Sequence, residues 1–120
     1  MTFKLKIPIL PKTTNSMSRM HWRTKSKHAN IVKHIMHLHL INYIPKVPYK
    51  KAKFVLTRHA SGRPPDFDGL VSSFKWVLDS FVKSGLIIDD SMEVIGQPEY
   101  RHEKAPRLKG FITIEFEGIM

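Results

Sequence analysis

The sequence predicts an α+β domain, a mixed β-sheet of about four strands with two main helices packed on it. Three observations point there. Short segments near both ends and in the middle of the chain alternate apolar and polar residues, the period of a half-buried strand. Two other segments repeat apolar residues at three and four, the period of a helix with one buried face. The chain has 120 residues, 42% of them hydrophobic. That makes one domain, residues 1–120, with a core thin enough that association into a dimer is expected.

The elements follow in order. Phe3, Leu5, Ile7 and Ile9 alternate with polar residues or Pro and give a first strand. Pro8 calls for an edge position or a bulge, because it cannot donate to a ladder. Residues 11 to 27 have no apolar period and read as a long exposed loop, of the kind that is functional or disordered. It holds Lys12, Arg19, Arg23, Lys25 and Lys27, with Asn15, Met17, Met20 and Trp22 between them. Basic side chains interleaved with a large aromatic suit a nucleic-acid surface. The alternative is a basic loop with Trp22 tucked into the core.

From about His28 to Asn42, Ile31, Val32, Ile35 and Leu38 predict the first helix, which stops before Pro45. Ala52, Phe54 and Leu56 alternate with Lys53, Val55, Thr57 and Arg58 and give a second strand. Ser61-Gly62-Arg63-Pro64-Pro65 is a loop stiffened by two prolines. Leu70, Val71, Phe74, Val77, Leu78, Phe81 and Val82 predict one continuous second helix, closed by Gly85. Leu86-Ile87-Ile88 is a short buried run. A weak strand around Glu93 to Tyr100 and a basic turn from His102 to Lys109 precede the last strand. There Phe111, Thr113 and Glu115 alternate with Ile112, Ile114 and Phe116. No repeat, low-complexity tract or linker divides the chain.

Charge is distributed unevenly. The net charge is +10 and the sequence pI about 10.0. The first 65 residues carry fourteen Lys and Arg and no acid, and all five aspartates fall between positions 66 and 90. The excess favours a polyanionic partner, nucleic acid before anionic membrane. With no cysteine, disulfides, thiolate metal sites and a Cys nucleophile are excluded. No stretch approaches the length of a membrane-spanning helix, and the alternating N-terminus reads as a strand rather than a signal-peptide core. No membrane partner is expected, and the expected location is cytoplasmic.

The aspartates are the candidate chemistry. In an extended segment Asp66 and Asp68 point to the same side, so two carboxylates can converge on one cation. An Asp before a helix is also a preferred cap, which accounts for one of them, most naturally Asp68. An EF-hand is excluded, because its closing Glu position is Val77. Asp89-Asp90 follows an apolar run and adds a second pair, whose mutual repulsion a cation or base would offset. Asp68, Ser72, Lys75 and Asp79 are spaced four, three and four and share a helical stripe. Lys75 would stabilise charge on a phosphate there, or simply pair with Asp79 on the surface. The histidines crowding the first helix, His34, His37 and His39, lack the spacing of a zinc site. The chain has no glycine-rich phosphate loop and no nucleophile elbow.

Arg63-Pro-Pro-Asp-Phe-Asp-Gly-Leu, then Phe74-Lys75-x-x-x-Asp79, then Lys83-Ser-Gly85-Leu-Ile-Ile-Asp89-Asp90 resembles the RusA family of Holliday junction resolvases. The resemblance is strongest over residues 63 to 90 and extends weakly to the first strand and to the loop around Asn15. It implies a RusA-like fold and a homodimeric endonuclease that uses Mg²⁺, with Mn²⁺ as a substitute, to cut four-way DNA junctions symmetrically. The family's essential acids fall on Asp66, Asp68 and Asp90 and its lysine on Lys75, while Asp89 matches the penultimate Asp. Two positions depart from the family pattern. Gly69 stands where Asn is usual, and the Asp-to-Lys spacing is longer by about one helical turn.

An all-carboxylate site selects Mg²⁺ or Mn²⁺. The basic half, with Lys12, Asn15, Arg19, Arg23, Lys25, Lys27 and Arg63, would hold DNA, its affinity falling steeply with salt. The reading from another class is a basic nucleic-acid-binding protein without catalysis, its acids serving as caps and turns.

Overall fold

The computed structural model describes residues 1–12 and 22–119. Four strands, β1 (Thr2–Ile7), β2 (Lys51–Ala60), β3 (Glu99–Lys104) and β4 (Phe111–Ile119), form one mixed sheet in the order β1-β4-β2-β3. β4 runs antiparallel to both β1 and β2, and β3 is parallel to β2. The helices are α1 (Trp22–Leu40), α2 (Phe67–Ser73), α3 (Lys75–Lys83) and the short α4 (Met92–Ile95). The predicted α+β class and four-strand mixed sheet are therefore observed. None of the helices described is long and apolar enough to cross a membrane.

Alternation builds the sheet as expected. Leu5 and Ile7, Ile112, Ile114 and Phe116, and Ala52, Phe54 and Leu56 face the helices and are buried. The register sets Phe54 opposite Phe116 and Leu56 opposite Ile114. Aromatic rings knit the layers: Phe81 meets Phe54 edge-on at 4.9 Å and stacks on Phe116 at 5.5 Å, which in turn stacks on Phe3 at 4.8 Å. β1 is an edge strand and stops at Ile7, so Pro8 interrupts no ladder.

Four expectations are corrected. The first helix begins at Trp22, so residues 22 to 27, read as loop, are its opening turns, and Trp22 is 65% exposed rather than tucked into the core. Its buried stripe is Val32, Met36 and Leu40, spaced at four, while Ile31 and Leu38 lie exposed.

The second helix is two. The chain breaks at Phe74 (φ −96°, ψ 1°), whose ring is fully buried. Just before it, Ser72 Oγ donates to the Gly69 carbonyl and Ser73 Oγ to the Leu70 carbonyl. Such back-bonding competes with the backbone ladder and bends helices.

The weak strand at 93–100 is the helix α4 followed by β3, which starts only at Glu99. The predicted turn is shorter for the same reason, since His102 to Lys104 belong to β3. Gly85 is as expected: at φ +84° it donates to the Val82 carbonyl while Leu86 N–H reaches the Phe81 carbonyl, a Schellman closure. The following run docks on Tyr49, whose N–H donates to Leu86 O at 2.8 Å, and Leu86 and Ile87 are buried while Ile88 is exposed.

Candidate functional site

β1, β2 and β3 run in one direction and β4 in the other, so one end of the sheet gathers four segments. These are the exit of β1 at Leu10, the exit of β2 through Ala60 and Ser61, His102 near the end of β3, and the entry to β4 at Gly110. Together with the Arg63–Asp66 loop and Arg107 they wall a cleft of about 860 Å³. It lies at the carboxyl ends of the parallel pair β2–β3, the position where open sheets with helical crossovers commonly bind ligands.

Arg58 forms the floor. It continues the inward row of Phe54 and Leu56, opposite Ile112 on β4 and His102 on β3, and is only 9% exposed. Its Nη1 donates to the Pro11 carbonyl, which ties the strand extension after β1 to the cleft. Burial draws its guanidinium below the usual value. His102 stands beside it. Both of its ring nitrogens are shut off from solvent and neither has a hydrogen-bond partner among the described residues. Burial, then the charges of Arg58 and His59, hold its pKa down. On the open face His59 contacts Thr113 Oγ1 at 3.1 Å, lies 3.5 Å from Glu103 and stacks on Phe111.

Asp66 sits on the cleft wall and is the cap of α2, its Oδ1 accepting from Gly69 N–H at 2.7 Å. Asp66, not Asp68, therefore takes the capping role, because the chain is extended only at Asp66 and is already helical at Asp68. Asp68 is exposed in the first turn.

Asp89 and Asp90 follow the closure of α3, at the far end of the α2–α3 arm. Asp79, on α3, is close enough to Asp90 for its charge to act on it. Partial burial, then Asp79, then Asp89 raise the Asp90 carboxyl above its ordinary value, although its side chain remains largely exposed. Among the described residues no three His, Asp or Glu side chains come together as an ion-binding group. The acids that act on Asp90 are Asp79 and Asp89.

Lys75 opens α3 and is exposed, and no ion pair joins it to Asp79 among the described residues. Asp79 is half-buried and acts instead on Lys33, where it opposes the lowering by neighbouring Lys83 and by burial.

Of the expected DNA contacts, Arg23, Lys25 and Lys27 lie exposed on the opening turns of α1, with the Arg23 guanidinium 5.2 Å from the Trp22 ring. Lys12 is exposed, its N–H donating to His28 Nε2 at 3.3 Å. Arg63 lines the cleft. Asn15 and Arg19 lie outside the described residues. Sequence reasoning missed Arg58, His102 and Arg107. Parity was the available signal for Arg58, two residues beyond Leu56 on the same face.

No protein-family model matches the chain, and no curated protein matches it significantly.

Proposed function

We propose that the protein is a Mg²⁺-dependent endodeoxyribonuclease that cuts four-way DNA junctions, acting as a homodimer. The observation that carries this is the cleft in which Asp66 shares a wall with Arg58, Arg63 and Arg107. Carboxylate next to guanidinium groups is the pairing that phosphodiester hydrolysis needs: an acid for the cation and fixed positive charge for the phosphate. The ordered acids and their resemblance to the junction resolvases supply the substrate class.

The donor chemistry fits a hard divalent cation. Mg²⁺ takes one or two protein carboxylates and completes its shell with waters and substrate phosphates, so an Asp pair suffices. Asp66 keeps Oδ2 available while Oδ1 caps α2, and Asp68 would complete the pair. Asp89 and Asp90 would add carboxylate ligands, a cation offsetting their mutual repulsion. Bound there, Mg²⁺ supplies activation of water and neutralisation of charge at the phosphodiester.

This chain's side chains do the rest. The guanidinium groups hold phosphate, Lys75, exposed at the start of α3, offsets negative charge on it, and Lys12, Arg23, Lys25 and Lys27 steer the DNA arms. A two-fold dimer matches the near two-fold symmetry of a junction and puts one site on each strand.

One observation favours a second reading, a nucleic-acid-binding protein without catalysis. Asp66 already has a structural task as a cap. Incubating a labelled four-way junction and a linear duplex with the protein and Mg²⁺ separates the readings. Paired symmetric cuts in the junction alone support the resolvase, equal cutting of the duplex indicates a general nuclease, and a gel shift without cutting leaves the binding protein.

A further inference from the structure

We infer that the cleft at the carboxyl ends of β2 and β3 is a built seat for one phosphate group, with Arg58 as its floor, Arg107 and Arg63 at its rim and His102 as an additional donor. The seat stands on its own geometry; that the phosphate is a phosphodiester of DNA rests on the nuclease reading.

Arg58 carries the argument. A guanidinium has five donors in a planar fork. The Pro11 carbonyl accepts from Nη1, and no other hydrogen bond or ion pair of Arg58 exists among the described residues. A buried charge without an opposite charge is costly, and proteins keep one where an anion completes it. No carboxylate of the described residues lies within ion-pair distance of Arg58, Arg63 or Arg107. Nor can the chain before Asp66 supply one, because it contains no acid. Asp66, on the wall, is one negative charge against three guanidinium groups, and its Oδ1 is directed to Gly69 N–H.

His102 is an independent observation. An imidazole whose two nitrogens are buried and without a partner among the described residues is an exception that calls for a missing partner. His102 lines the cleft, and a turn of its ring would bring an N–H to a phosphate oxygen and supply that partner. The planar fork of an arginine matches two phosphate oxygens at once, which a lysine cannot reproduce. The volume, about 860 Å³, lies in the range that accepts a ligand of nucleotide size. The seat therefore holds the phosphate together with part of its nucleotide.

The test uses the whole chain and inorganic phosphate. Arginine Nε–H resonances are followed by NMR during titration, in wild type and in Arg107→Ala, Arg58→Lys and Lys109→Ala. Arg107 is exposed, so its loss leaves the core intact. Arg58→Lys keeps the buried charge but not the fork, and Lys109 lies two residues from Arg107 but outside the cleft. The expected result is saturable shifts at Arg58 and Arg107. Arg107→Ala and Arg58→Lys then bind phosphate about tenfold more weakly, the loss of one charge-assisted bond. Lys109→Ala changes affinity by less than about twofold, the scale of an exposed charge. Shifts that never saturate, or an equal loss in Lys109→Ala, would overturn the seat.

A single-stranded oligonucleotide is then added as competitor. Displacement of phosphate assigns the seat to phosphodiesters, and failure to displace assigns it to phosphate monoesters. If the seat binds phosphate but a junction stays uncut in Mg²⁺, the nuclease reading fails and the seat stands.

Discussion

Asp66 has two tasks in this account, and two substitutions separate them. As a cap it gives one 2.7 Å hydrogen bond to Gly69 N–H at the start of a seven-residue helix. Replacing a capping Asp by Ala costs about 1 kcal/mol. For a chain of this size that lowers the unfolding midpoint by roughly 2–6 °C. Asn caps as well as Asp, so Asp66→Asn stays within about 0.5 kcal/mol of wild type. It nevertheless removes the negative charge a cation needs. The account therefore predicts that Asp66→Ala loses both stability and cleavage, whereas Asp66→Asn loses cleavage alone and still binds the junction. Urea and thermal unfolding measure the first property, gel-resolved cleavage with Mg²⁺ the second. If Asp66→Ala unfolds with the wild-type midpoint, the cap is refuted. If Asp66→Asn cuts at the wild-type rate, the catalytic role is refuted.

Other outcomes follow from the same geometry. Gly85→Ala forces a Cβ into the left-handed region at φ +84° and costs roughly 1–2 kcal/mol in urea unfolding. Phe81→Ala removes a fully buried ring that touches Phe54 and Phe116 and costs about 3–5 kcal/mol. Because the Asp90 carboxyl is raised when folded, its contribution to stability is fully present below the ordinary carboxylate range and is lost as pH rises through the raised value. Asp79→Asn removes one source of that repulsion, so an NMR titration should find Asp90 ionising at lower pH. Lys25→Ala, on an exposed turn of α1, should reduce the slope of log affinity for DNA against log salt by about 1, measured by fluorescence anisotropy.

What was legible in the sequence is what burial on one face makes periodic. The alternation of Leu5 and Ile7, of Phe54 and Leu56, and of Ile112, Ile114 and Phe116 placed three strands. Gly85 marked a helix end because only a residue without Cβ reaches φ +84° freely. The misses have physical causes. Residues 22 to 27 are exposed on all sides of the helix, so no apolar period announces them. The break at Phe74 is hidden because the buried stripe continues through it from α2 into α3, and the hydroxyls of Ser72 and Ser73 that loosen the ladder leave the pattern intact. β3 reads as polar, since it is an edge strand whose inward positions are Tyr100 and His102.

The candidate acids were visible from composition, but the capping role of one of them was not. Which Asp caps depends on where the extended chain turns helical, and spacing alone does not fix that residue. That Asp79 acts on Asp90 depends on how the chain turns back after α3. The basic side of the cleft was hidden more deeply. Arg58 shares the parity of Phe54 and Leu56, but its charge disguises an inward position until its register against Ile112 and His102 is known, and Arg107 approaches only because the chain reverses after β3.

Asp68 offers the most direct test of the nuclease claim, because it is exposed and has no capping role. Wild type and Asp68→Asn are titrated against a labelled four-way junction, binding being read without divalent cation and cutting read after Mg²⁺ is added. The account predicts equal binding within about twofold, the scale of one exposed charge, with paired symmetric cuts by wild type and none by Asp68→Asn. Full Mg²⁺-dependent cutting by Asp68→Asn, or an uncut junction with wild type, would contradict it.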